Sequence, residues 1–170
     1  MVFIDESSVD CGMTRLYGRA FSNERIEEYV PDVRFERTSV IASISPDGIQ
    51  APMMFKGSLN ESVFTAYVRD ILAPTIEEGD IVFLDNLSVH KVSGALDPII
   101  LKGAKVVFLP PYSHDFNPIE LAWSKMKSVL RELKPRCFDE LVSFMKEALD
   151  AITTSDILAW FRHCGYTFNV

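Results

Sequence analysis

Apolar positions along this chain change period several times, and the changes mark out its elements. Residues 1–4 form an apolar run closed by Asp5 and predict a strand. Residues 38–45, Thr-Ser-Val-Ile-Ala-Ser-Ile-Ser, predict a second, and Pro46-Asp47-Gly48 supplies a turn from which residues 49–55 return as a hairpin partner. The polar stretch 7–37 between the first two strands is broken by Gly12, Gly18 and Pro31, with a short strand expected over 16–21. The period then becomes helical. Val63, Phe64, Tyr67, Val68, Ile71 and Leu72 predict a helix over 61–72, with Asn60 as its cap and Pro74 as its stop. Residues 81–84, Ile-Val-Phe-Leu, do not alternate, which predicts a strand buried on both faces. A helix within 88–101 and another buried strand at 105–109, halted by Pro110-Pro111, come next. Helices over 118–133, 138–152 and 155–164 complete the chain.

This order predicts an α/β fold: a mixed five-stranded sheet, antiparallel at its start and parallel afterwards, flanked by helices. A ribonuclease H-like layout has this order. It sets the first and fourth strands side by side, which brings Asp5 close to Asp85. With 170 residues, no internal repeat and no linker-like stretch, one domain spanning 1–170 is expected.

Composition narrows the class. The chain is 48% hydrophobic and 24% charged, in the range of globular rather than disordered proteins. No apolar run reaches the length of a membrane span, and the first residues lack the pattern of a signal peptide, so a cytoplasmic location is expected. Cys11, Cys137 and Cys164 are widely spaced and odd in number, which suits free thiols in a reducing compartment. The net charge of −7 argues against a nucleic-acid partner. The charge is uneven, however: residues 121–136 carry Lys125, Lys127, Arg131, Lys134 and Arg136 against the single acid Glu132.

The chemistry lies in carboxylates. Asp85 follows the apolar run 81–84, and Glu120 stands in the first turn of the helix over 118–133, with residues 86–119 between them. Glu120 has a complete structural explanation: with Asn117 as N-cap and Pro118 first in the helix, it occupies the capping-box position. Against this, Glu120, Ser124, Lys127 and Arg131 share one helix face. The buried stripe is Ile119, Ala122, Trp123, Met126, Val129, Leu130 and Leu133. A carboxylate heading a cationic row suits a metal site beside a DNA backbone, with Lys125, Lys127 and Arg131 as candidate phosphate contacts. Asp85 with Asn86 is either a turn or, at the carboxyl end of a strand, a site residue. His90 is either a packing residue or one that orients a ligating carboxylate. Asp5 is the third acid. Three carboxylates on rigid elements, with no His or Cys cluster, suit a pair of Mg²⁺ ions and phosphoryl transfer. No nucleophile elbow or Gly-x-x-x-x-Gly-Lys phosphate loop is present, so no nucleotide cofactor is expected.

Several motifs together resemble those of mariner-like cut-and-paste transposases, in particular the bacterial insertion-sequence branch. They are Asp5-Glu6-Ser7, Gly12-Met13-Thr14-Arg15, Tyr17-Gly18, Leu84-Asp85-Asn86 with His90, Leu109-Pro110-Pro111-Tyr112-Ser113, Asn117-Pro118-Ile119-Glu120, and Phe161-Arg162-His163-Cys164-Gly165-Tyr166. The resemblance covers essentially the whole chain, and the 34-residue spacing between Asp85 and Glu120 is one of its traits. It implies a ribonuclease H-like catalytic domain with Asp5, Asp85 and Glu120 as an Asp-Asp-Glu triad holding two Mg²⁺ or Mn²⁺ ions. Asn86, His90, Asn117 and Pro118 would position that triad. The implied reaction is hydrolysis of DNA phosphodiesters at element ends, then transfer of a 3′-end into target DNA, by a homodimer acting at the bacterial nucleoid. Three positions depart from the family pattern: His114 and Phe116 replace Pro and Leu, and Ser8 replaces a frequent Gly.

The family also carries helix-turn-helix modules ahead of the catalytic domain, and a first strand starting at residue 1 leads us to expect none here. A fragment, a split-gene product and a decayed remnant would all present this way. The competing functions are a non-catalytic remnant serving as a binding module, and a different ribonuclease H-like nuclease.

Overall fold

The computed structural model of the chain describes residues 1–167 apart from Asn23, Val33, Arg34 and Tyr112, so the aromatic of the Pro-Pro-Tyr-Ser motif lies outside the described residues. Its sheet is built from β1 (Val2–Val9), β2 (Thr38–Ser45), β3 (Gly48–Lys56), β4 (Ile81–Leu84) and β5 (Lys105–Phe108). Their order is β3-β2-β1-β4-β5. The β1–β2 and β2–β3 pairs are antiparallel, and β1–β4 and β4–β5 are parallel, as the element order predicted. The β2–β3 hairpin closes by pairing Ser45 with Gly48, whose φ of 150° suits a residue without Cβ.

Alternation along β1 and β4 assigns the two cores. Phe3, together with Val40, Ala42 and Ile44 of β2, packs against α3 (Pro118–Leu133), α4 (Phe138–Asp150) and α5 (Thr154–His163). Val2, Ile4, Ile41, Val82 and Leu84 face the other way, onto α1 (Glu61–Tyr67) and α2 (Asp97–Leu101). On the first face the Phe3 and Phe83 rings stack with centroids 4.5 Å apart, and Tyr166 lies 4.9 Å from Phe3. The stripe on α3 is buried through Ile119, Ala122, Trp123, Met126 and Leu130.

Four sequence expectations change. β1 does not end at residue 4: its ladder with β2 runs on to Val9 opposite Thr38, so Asp5 sits mid-strand. No strand forms over residues 16–21, where Leu16, Tyr17 and Phe21 are exposed and have no partner strand. β5 is an edge strand rather than one buried on both faces, because no strand lies beyond it, and Val107 and Phe108 remain partly open. The expected helices also break up. α1 gives way to a π turn at Val68–Leu72 and a 3₁₀ turn at Ala73–Thr75, where Pro74 cannot donate to a regular helix. The 88–101 segment is a 3₁₀ turn, Ser88–Lys91, followed by the short α2.

Helix α5 starts with a capping box: Thr153 Oγ1 accepts the Asp156 N–H, and Asp156 Oδ2 accepts the Thr153 N–H at 2.8 Å. Lys125 Nζ, on α3, donates to the same Oδ2 at 2.5 Å. The Lys125 contact first, then the Thr153 hydroxyl and N–H, hold the Asp156 carboxyl down at about 2. This folded value lies below the unfolded one, so the contribution is present at neutral pH and is lost as pH falls from about 4 through about 2. Asp156→Ala should therefore cost about 1 kcal/mol at pH 7. Denaturant titrations of variant and parent should converge as the pH is lowered through that window.

Candidate active site

β1 and β4 pair in parallel, with Val2 opposite Val82 and Phe3 opposite Phe83. Asp85 directly follows β4, and Asp5 and Asp85 each stand two residues beyond the paired Phe3 and Phe83. Because alternation repeats every two residues, Asp5 shares the face of Phe3, toward α3. Glu120 stands in the first turn of α3. Asp5 is buried, and its carboxyl is raised to about 8, first by burial and then by repulsion from Glu120, Glu6 and Asp85; the Glu6 N–H, which donates to Asp5 Oδ1 at 2.8 Å, opposes the rise. The charges of Glu120 and Asp85 thus both act on the buried Asp5 carboxyl.

Asp85 differs from Asp5. Its burial favours the neutral form, but contact with His90, the Leu87 N–H and the charges of His90 and His114 outweigh this and hold it below the usual carboxylate range. Both contacts use Oδ1: Leu87 N donates to it at 3.2 Å, and His90 Nδ1 lies 2.6 Å away. The separation from His90 is short, but the buried ring nitrogens have no aligned hydrogen-bond partner, so the contact is an ion pair rather than a well-directed hydrogen bond. His90 is fully buried, and burial alone would lower its pKa; Asp85 and Glu6 reverse that and carry it to about 9. Asp85 thus makes the turn bond expected of an Asp-Asn pair and occupies the acidic centre as well.

Glu120 does not close a capping box. Asn117 makes no side-chain cap bond, and its Oδ1 is buried without a partner. Glu120 Oε1 lies instead 3.2 Å from His114 Nδ1, so one of the residues that departs from the family pattern contacts the carboxylate directly. Pro118 is buried as the first helical residue, and Asn86 is exposed beside Asp85. The loop before α3 is braced from the chain's other end: Tyr166 Oη donates to Phe116 O at 2.9 Å.

The three candidate cations separate. Lys127 feels the acids: burial and Arg131 lower its pKa, while Glu120 and Asp5 act in the opposite sense. Arg131 lines a groove with Arg15, Leu16, Tyr17 and Arg19. Lys125 points elsewhere, into its contact with Asp156. Sequence reasoning assigned no role to Glu6, which lies 3.6 Å from His90 Nε2. Strand alternation was the available signal, since it sends Asp5 and Glu6 to opposite faces.

Among the described residues, no three His, Cys, Asp or Glu side chains are arranged to hold a metal ion as they stand. The donor set nevertheless fits a hard divalent cation: it is all oxygen, and the repulsion that raises Asp5 is what such a cation relieves.

A β3-β2-β1-β4-β5 mixed sheet flanked by helices, with acids on β1, just after β4 and at the start of α3, defines a ribonuclease H-like domain. The chain belongs to the DDE superfamily endonuclease family, whose model matches residues 1–142. Solved structures share the fold. The Mos1 mariner paired-end complex with Mg aligns with a TM-score of 0.77 at 14% identity, covering 96% of this chain and 53% of that one. A pre-cleavage Mos1 transpososome gives 0.73 at 13% identity, covering 96% and 51%. The catalytic domain of Mos1 mariner transposase gives 0.68 at 15% identity, covering 96% and 74%. The present chain thus spans about half the length of the Mos1 chains in the DNA complexes. No curated protein sequence matches.

Proposed function

We propose that this chain is the catalytic domain of a cut-and-paste DNA transposase of the bacterial insertion-sequence branch, cutting phosphodiesters at element ends and joining a 3′-end to target DNA. The observation that carries the proposal is the buried carboxyl of Asp5 on β1, raised by burial and by the charges of Glu120 and Asp85. Family membership and the Mos1 likeness support it.

In this reading Asp5, Asp85 and Glu120 hold two Mg²⁺ or Mn²⁺ ions, which when bound neutralise charge on the scissile phosphate and promote ionisation of the attacking hydroxyl. The remaining work falls to the protein. His90 holds Asp85 by Oδ1, and Lys127 and Arg131 seat the DNA backbone beside Glu120. Lys125 is excluded from that role because its ammonium is committed to Asp156. Two copies would pair two DNA ends. The domain would act in the cytoplasm, at the nucleoid.

The test is nicking of supercoiled duplex DNA by the purified chain with Mg²⁺ or Mn²⁺, and again after EDTA. Nicking that disappears with EDTA is the expected result. Nicking that persists in EDTA overturns the metal assignment, and faster cleavage of RNA–DNA hybrid than of duplex DNA points to a different nuclease.

A further inference from the structure

We propose that Glu6 is a positioning residue acting through His90 to fix the carboxylate of Asp85; the inference rests on the reading of Asp85 as a site residue. Neighbours on a strand point to opposite faces, so Glu6 leaves the acidic centre that Asp5 enters and projects toward the α1 side. There it meets His90, whose ring is fully buried 4.7 Å from the Phe64 ring. One ring nitrogen lies 2.6 Å from Asp85 Oδ1, and the other lies 3.6 Å from Glu6 Oε2. None of the three buried atoms Glu6 Oε2, His90 Nδ1 and His90 Nε2 has a hydrogen-bond partner elsewhere. The imidazole is therefore held between two carboxylates, with no solvent to satisfy it in any other orientation.

This geometry has a consequence for Asp85. Leu87 N–H donates to Oδ1 and the His90 ring is paired with the same oxygen, which holds Oδ1 in place, while Oδ2 takes part in neither contact. Glu6 supplies the counterpart charge that keeps the ring from turning away. Stability alone does not account for Glu6. The residues before it on its face of β1, Val2 and Ile4, are packed in the core, and its charge adds to the repulsion on Asp5. A well-packed apolar residue often replaces a buried ion pair without loss of stability. An acid kept here at that cost is consistent with orienting a neighbouring group.

Two measurements on the full chain test this, each with an intact amide NMR spectrum as the check on folding. The first is the ¹H–¹⁵N spectrum of the His90 ring in metal-free protein. The parent should show ring N–H signals slow to exchange, and Glu6→Ala and Glu6→Gln, which both remove the countercharge, should lose or shift the Nε2 signal. The second is Mn²⁺ affinity by calorimetry. Glu6→Ala should raise Kd about tenfold. In a His90→Gln background the same substitution should change Kd less than about twofold, because the path through the ring is already broken. An unchanged His90 ring spectrum in Glu6→Ala overturns the proposal. So does an equal loss of Mn²⁺ affinity in both backgrounds, which would mean that Glu6 acts on Asp5 or on the metal directly. If the parent itself takes up no Mn²⁺, the metal reading of the site fails, and the ring signals alone decide whether Glu6 holds His90.

Discussion

Glu120→Gln and Asp85→Asn should each lower metal-dependent DNA nicking by about a hundredfold or more, with no loss of fold. The size follows from position: changes in groups that merely orient metal ligands typically cost 10- to 100-fold, and removing a ligand's charge should cost more. The fold should survive because neither carboxylate is a structural keystone. Glu120 is part-exposed and, among the described residues, is bonded only to His114, and it does not cap its helix. Asp85→Asn keeps an oxygen for the Leu87 N–H. It does remove a charge facing buried His90, so a modest drop in stability should accompany the loss of activity. Nicking assays on supercoiled DNA, alongside thermal melts, check both halves. A variant that nicks as well as the parent removes that residue from the active site.

Phe161→Ala should destabilise the domain by about 3–5 kcal/mol, equivalent to a fall in Tm of roughly 6–20 °C. Phe161 lies beyond the residues matched by the family model, yet it is fully buried, and its ring meets Phe3 edge-on at 5.5 Å. Phe3 in turn stacks on Phe83, and these two residues stand two positions before Asp5 and Asp85. The same C-terminal segment carries Tyr166, which bonds to Phe116 O in the loop ahead of Glu120. A cavity at Phe161 should therefore lower activity before the protein unfolds. Thermal melts and nicking at a temperature well below the Tm separate the two effects. A Tm within about 2 °C of the parent's would mean that α5 is not part of the cooperative core.

The acidic centre was legible in the sequence to different depths. Asp85 and Glu120 stand out because each adjoins an element whose pattern is complete within a few residues: an unbroken apolar strand and an amphipathic helix. Asp5 was visible as the end of an apolar run, but its strand was read as too short. Ser7 and Val9 are buried in β1 by pairing with β2, whose partners lie some thirty residues away. His90 was left between packing and orientation, and its ring is buried against Phe64 with Nδ1 beside Asp85. Glu6 went unassigned because the partner on its face is remote in sequence. Lys125 looked like its neighbour Lys127, and only the approach of α5 distinguishes them.

By itself, then, the sequence determined the order of the sheet strands and main helices, the buried stripe of α3 and which carboxylates are candidates for the site. These depend on local periodicity and on which residues end an element, and both are written in consecutive positions. The tertiary structure decided how far β1 runs, that β5 is a partly open edge, that Glu120 faces His114 rather than a cap, and that Glu6, His90 and Asp85 stand in line. Each of those depends on which distant segment supplies a ladder partner, a covering helix or a countercharge. Such pairings are chosen by the packing of the whole chain, and no window of sequence contains them.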